Sequence, residues 1–411
     1  MKVKRLYIVL FLVLISFTGC QKELQIIPKI NYAHLGYLYK EVTFPNGEIG
    51  GLIHIYSNYP DYNFDIEPKE GFACVDDAAR ALILVSQDKN QIQKVQKLTS
   101  FLLYMQNKNG WFNNFIWDDL SINTTYKTSV AEPSWWSWRA FWALEAALPK
   151  LKKGDTVLAK KVEITLDRLV QNVEPYLKNL PIGLKTVQGI EVPTNLPFES
   201  ATDQTSILLV ALTLNYQRTQ NPEILKLIHP LADGILKMQI TNGKAKGAFL
   251  SWENQWHAYG NLQSYALLKV GNLLNEEKYT DAALFEIDHF YEYLGQNKMF
   301  SSIKFRKRNN KTEVINSKAF AQIAYGIRPI IYANVEAYKQ TGETKYKTNA
   351  LKWLSWFNGN NRASTKMYNS ENGRCFDGIL SNTQINKNSG AESTIEALLS
   401  IVAINSITKT N

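Results

Sequence analysis

Cysteine is scarce: the 411-residue chain holds three, Cys20, Cys74 and Cys375, too few for a disulfide scaffold and without the paired spacing of a structural zinc site. There is no Walker-type loop, dinucleotide fingerprint or serine nucleophile elbow, so nucleotide-driven, redox and serine-hydrolase chemistries lose their usual signatures. Lysine and arginine form no block interleaved with aromatics, which argues against a nucleic-acid partner. Only five histidines occur. No low-complexity linker divides the chain, and beyond the N-terminal segment no apolar run is long enough to span a bilayer. No cofactor and no metal ion is expected.

What is present begins with a leader. Lys2, Lys4 and Arg5 precede an uncharged apolar run, Leu6 to Phe17, too short for a membrane span and typical of a signal peptide. The run ends in Phe17-Thr18-Gly19-Cys20, which resembles a lipobox and marks Cys20 as the lipidated residue, although Phe17 departs from the usual aliphatic side chain. A plain secretory signal is the alternative; either reading exports the protein, and the first anchors it to a bacterial membrane. The expected organisation is a leader over 1–19, a tether over 20–30 and one domain over 31–411. The leader holds three positive charges and no negative one, which leaves +6 of the formal +9. A content of 45% hydrophobic and 12% aromatic residues suffices for a large core.

The chain then repeats. Six segments, marked by Asp76, Trp135, Asp203, Asn261, Ala319 and Glu392, each introduce a helix rich in Ala, Leu and Ile, at intervals of 59, 68, 58, 58 and 73 residues. That spacing is about two helices with their loops. Between them lie amphipathic stretches, Gln91–Gln106, Val157–Lys178, Glu223–Gln239, Lys278–Leu294 and Thr344–Phe357, whose charges recur on one face. Residues 31–43 are expected to supply the missing first outer helix. Twelve helices in six pairs predict an all-α (α/α)6 toroid with inner and outer layers; an open superhelical stack is the alternative.

Links from inner to outer helices are short, whereas those from outer to inner (107–132, 180–202, 241–258, 297–316 and 359–390) are long and rich in Gly, Asn, Asp and aromatics. Long loops gathered on one side of a regular scaffold usually carry function. All inner helices start on that side, so their N-termini are expected to line one cleft. In a closed ring Cys74 and Cys375 approach each other, either as a disulfide or as two unrelated buried thiols.

Cys74-Val75-Asp76-Asp77-Ala78-Ala79-Arg80-Ala81-Leu82, Trp256-His257-Ala258-Tyr259-Gly260-Asn261-Leu262-Gln263 and Ser389 to Leu398 resemble the six-hairpin glycosidase-like superfamily, over roughly residues 30–408. The resemblance implies a carbohydrate ligand more firmly than any one reaction. Glycosidic hydrolysis needs one carboxylic acid and one carboxylate. Asp76, Asp77, Asp203 and Glu253 are the acid or base candidates: the first two adjacent at a helix start, Asp203 among hydrogen-bonding neighbours, Glu253 between Trp252 and Trp256. Each of the first three is also a plausible helix cap, and Glu392 reads as structural. Glu396, one turn deeper, needs a buried partner such as Arg80 or Arg328.

Trp111, Asn113, Trp135, Trp136, Trp252, Trp256, His257, Asn261 and Gln263 are the expected sugar contacts, indole faces stacking on the ring and amides reading hydroxyls. The reading is a glycoside hydrolase acting on an oligosaccharide or polysaccharide. Two alternatives stay open: a sugar epimerase, for which only His54 and His257 stand on the loop side, and a non-catalytic glycan-binding lipoprotein. A zinc site from Cys74, Cys375 and His257 lacks metal-ligand spacing.

Overall fold

The computed structural model describes residues 26–408. The leader and Cys20 lie outside the described residues. In chain order the helices are α1 (Ala33–Leu38), α2 (Val75–Ser86), α3 (Ile92–Met105), α4 (Trp135–Gly154), α5 (Thr156–Lys178), α6 (Thr202–Thr219), α7 (Pro222–Lys237), α8 (Gln263–Leu274), α9 (Glu277–Phe285), α10 (Tyr291–Gln296), α11 (Ala324–Thr341), α12 (Thr344–Leu354) and α13 (Ala391–Thr408).

Six of them form a closed inner ring: α2 packs on α4, then α6, α8, α11 and α13 follow, and α13 returns to α2. Their composition explains the position. In α6, residues 202–213 are all buried, so the helix has no face for water and must be surrounded. Around it stand α3, α5, α7, α9–α10 and α12, each with one buried stripe. In α5 that stripe is Leu158, Val162, Leu166, Leu169 and Val173, and the helix is started by Asp155, whose carboxylate accepts the Leu158 N–H at 3.0 Å. This is the (α/α)6 toroid expected from the repeat, and not an open stack.

The first outer helix differs from expectation. Only Ala33–Leu38 is helical; Tyr39–Thr43 turns into a strand paired antiparallel with Ile49–Ile53, and this hairpin packs on α3. Asn46-Gly47, with Gly47 at φ +82°, closes the turn, and β-branched Val42 and Thr43 suit the strand. The spacing of Leu35, Leu38 and Val42 that suggested a longer helix is satisfied instead by a helix and a strand in sequence. A second hairpin, Ser302–Arg308 with Lys311–Lys318, occupies the loop before α11 and delays that helix to Ala324. It turns at Asn309-Asn310, both in the left-handed region. The axis is not a pore: Arg80, Arg139, Tyr325, Arg328 and Leu262 fill it, leaving a cleft of about 300 Å³ at the helix N-termini and another of about 350 Å³ at the far end.

Candidate active site

The cleft at the N-terminal ends is walled by α2, α13 and the loops before them, and it gathers Glu70, Asp76, Asp77, Arg80, Asp377 and Glu392. Three arginines organise these acids. Arg80, nearly wholly buried, binds Asp77 through Nη1 at 2.7 Å and Glu392 through Nη2 at 2.9 Å, and its Nε lies 3.3 Å from Glu396 without hydrogen-bond alignment. Arg139 donates to Asp76 Oδ1 and, at 2.8 Å, to the Tyr325 hydroxyl. Arg328 donates to both oxygens of Glu396. All three guanidiniums stand over the Tyr325 ring, at 4.7, 5.2 and 5.4 Å from its centroid. Both partners foreseen for Glu396 are therefore engaged. Buried charges of this kind persist only when paired, and the pairs hold three inner helices and α13 in one register.

Within that frame the acids differ. Asp77 has both oxygens engaged: its Oδ1 takes Arg80, and its Oδ2 takes the Cys74 thiol at 3.3 Å. Burial holds its carboxyl above the usual range, with Arg80 opposing and Asp76 adding to the shift. Asp76 keeps 20% of its side chain open and receives, besides Arg139, only a long 3.5 Å contact from Asn114. Glu392 keeps 40% of its side chain open to the cleft. Enclosure by the walls raises it to about 7; Arg80 pulls the other way, while Asp77 and Glu396 push it up. Asp377 accepts the Ser393 hydroxyl at 2.6 Å and the Gly390 N–H at 2.8 Å, and burial raises it as well. Glu70 accepts the Tyr56 hydroxyl at 2.6 Å.

A second group lies across the ring. His257 Nε2 is 2.9 Å from Asp203 Oδ2, its Nδ1 is 2.9 Å from the Tyr259 carbonyl, and its ring stacks on Tyr259 at 3.8 Å. Tyr259 is 46% exposed and faces Trp135 at 6.3 Å. Gly260, at φ +71°, lies in the turn from Tyr259 into α8, and a Cβ there would meet the Trp135 ring at 2.9 Å.

Comparison with solved structures decides the architecture. A sugar epimerase from a ruminal bacterium superposes with a TM-score of 0.56 at 11% identity, over 87% of this chain and 93% of its own. The cellobiose 2-epimerase of Spirochaeta thermophila gives 0.56 at 12%, over 88% and 92%. The cellulase Cel9M of C. cellulolyticum gives 0.52 at 13%, over 88% and 89%. The chain shares the (α/α)6 toroid fold of these proteins. No protein-family model and no curated protein matches its sequence.

On this six-hairpin frame the residues singled out in sequence separate. Asp76 and Asp77 line the cleft, whereas Trp135 stands outside its lining, with its ring 5.0 Å from the Arg139 guanidinium and facing Tyr259. Asp203 and His257 are buried together, beside Tyr259 and outside the acid-lined cavity. Glu253 is not an acid between two indoles: it sits at φ +49° on the outer rim in an ion pair with Lys185 at 2.8 Å. Trp252, 44% exposed, shares that rim, whereas strand alternation turns Trp256 into the core, edge-on to Phe290 at 5.1 Å. Trp256 therefore has no face for a sugar. Trp111 packs edge-on against Trp138 at 5.5 Å, and Trp136 is buried, its indole N–H on the Phe112 carbonyl. Asn113 is buried against the Ser129 carbonyl; its neighbour Asn114 lines the cleft and holds the Asp76 N–H at 3.1 Å. Asn261 and Gln263 are buried, bonded to the Ala258 carbonyl and to Thr202.

Cys74 and Cys375 are free thiols. The disulfide and the zinc arrangement both fail, because Cys74 donates to Asp77, Cys375 faces the Phe376 carbonyl and His257 is engaged by Asp203. His54 stacks flat on Phe64 at 3.8 Å, and burial lowers it to about 4. Arg80 and Arg328 were expected only as partners for Glu396, and Arg139 went unselected, yet a signal for the whole frame was there: Arg80, Arg139 and Arg328 are lone cations within apolar inner-helix runs, each in the second turn.

Proposed function

We propose that the protein is an exported, lipid-anchored glycoside hydrolase acting on an oligosaccharide, with Glu392 as general acid and Asp76 as general base or nucleophile. The observation that carries this reading is a pair of carboxyls on one cleft wall, Glu392 held by Arg80 with 40% of its side chain open and Asp76 held by Arg139, and the upward push on Glu392, to about 7, suits it to the acid role. An acid still half protonated near neutrality can give its proton to a leaving glycosidic oxygen. Asp76, which lines the cleft with 20% of its side chain open, then activates water or attacks the anomeric carbon. Arg80 and Asp77 position Glu392, and Trp135 with Tyr259 offers an apolar platform for a sugar ring.

The carbohydrate class gains support from neighbours described as a cellulase, two sugar epimerases and a D-mannose isomerase, the last at a TM-score of 0.53 and 14% identity. Hydrolysis is favoured over epimerisation because both ring nitrogens of His257 face fixed oxygens and His54 is stacked away, which leaves neither poised as a base on an open cleft.

Incubating the purified protein with a panel of glycans tests this. Cleavage that falls by about 10³-fold or more in both Glu392→Gln and Asp76→Asn supports it. An isomerised product without cleavage establishes the epimerase, and binding without any product establishes the capture protein. For the anchor, Cys20→Ser is expected to move the protein from the membrane fraction to the soluble fraction; an unchanged distribution contradicts lipidation.

A further inference from the structure

We propose that the cleft is built for uncharged glycans and turns away those bearing carboxylate or sulfate groups, with Glu70 and Asp377 setting the preference; this rests on the carbohydrate reading above. The charge balance carries the argument. Six carboxyls meet here, five on the cavity wall (Glu70, Asp76, Asp77, Asp377 and Glu392) and Glu396 behind them, against the three guanidiniums of Arg80, Arg139 and Arg328. Protonating Glu392 still leaves the carboxylates in the majority. Every guanidinium is already committed: Arg80 to Asp77 and Glu392, Arg139 to Asp76, and Arg328 to Glu396. Arg80 is the sole cation on the cavity wall among the described residues, so an acidic sugar would find none free to receive it.

Glu70 and Asp377 are the acids with no cation among the described residues. Neutral groups hold them instead, the Tyr56 hydroxyl for Glu70, and the Ser393 hydroxyl with the Gly390 N–H for Asp377. Such donors fix a carboxylate's direction without cancelling its charge. To a neutral sugar the two carboxylates are strong acceptors for hydroxyl groups. To a uronate or sulfate they are like charges at close range in a partly desolvated cavity, where repulsion is not screened away. The same two residues thus attract one class and repel the other.

The test is binding calorimetry of the purified protein on matched pairs of oligosaccharides: gluco- with glucurono-, galacto- with galacturono-, and manno- with mannurono-configured. Some neutral member is expected to bind, tighter than its uronic counterpart by roughly 100-fold. Glu70→Gln and Asp377→Asn should each narrow that ratio by about tenfold by improving the acidic partner, with melting curves confirming that both variants fold. A uronic member that binds as well as or better than its neutral twin overturns this proposal alone, as does a ratio unmoved in both variants. Binding of none of the six overturns the carbohydrate reading and this proposal with it. Because binding is read, the preference is measured whether or not the sugar is cleaved.

Discussion

Glu392 and Glu286 show two ways in which surroundings raise a carboxyl, the first by enclosure among other acids at an open cleft and the second by complete burial. If Glu392 is the proton donor, activity requires its protonated form, so the rate should fall as pH rises through about 7. A kcat/KM profile whose alkaline limb lies well above that, or is unchanged in Glu392→Asp, would remove it from the role. Glu286 sits far from the cleft, in a π-turn over Glu286–Phe290 that joins α9 to α10, and accepts the Phe249 N–H at 2.9 Å and the Ser264 hydroxyl at 2.6 Å.

Burial lifts Glu286 to about 7, the hydrogen bonds opposing. The folded chain therefore keeps a proton that the unfolded chain releases near 4.5, and this contribution, complete below 4.5, is lost as pH rises to 7. Its size is at most about 3 kcal/mol. Glu286→Gln keeps an acceptor for Phe249, and Ser264 can turn its hydroxyl to the Ala283 carbonyl. The variant should melt higher than wild type at pH 8 and show a flatter dependence from pH 5 to 8; an equal or lower melting point at pH 8 refutes the argument. Arg80→Lys, by contrast, replaces a planar fork serving several carboxylates with a point charge, and a loss of about 3 kcal/mol is expected in urea unfolding.

At the level of elements, the start of α13 is the most tightly specified junction of the cleft. Gly390 donates its N–H to Asp377, and a Cβ there would lie 2.6 Å from the Ile55 carbonyl. Gly390→Ala should therefore displace the helix start and lower both stability, by about 1–3 kcal/mol, and activity. Gly36 in α1 has nothing within 4 Å of its would-be Cβ, so Gly36→Ala should be neutral or slightly stabilising. Similar melting shifts for the two would show that the close approach is not what matters.

The helices themselves were largely legible: the outer runs expected over Gln91–Gln106 and Val157–Lys178 are observed as Ile92–Met105 and Thr156–Lys178. Residues 31–43 were misread because helix spacing and strand alternation coincide over so short a run, and the decisive Asn46-Gly47 turn lay just beyond it. Trp256 and Asn113 failed for a related reason, since one residue of phase decides which side of an extended segment a side chain faces.

For the whole molecule, closure is the stabilising event. α13 touches both α11 and α2, and its Glu396 is the shared partner of Arg328 and Arg80. A chain ending at residue 390 would leave Arg328 without its carboxylate and Arg80 with Asp77 alone, and would open the ring. It is expected to lose cooperative thermal unfolding; a sharp transition in the truncated chain would contradict that. What the sequence by itself determined is the number of repeats, their two layers and the side on which the long loops gather, because each follows from local periodicity and from which faces must leave water. What only the tertiary structure decided is which acids meet. Asp76 finds Arg139 63 residues away, and Arg139 finds Tyr325 across 186. Such pairings depend on how each inner helix is rotated when the circle closes, and no local pattern records that rotation.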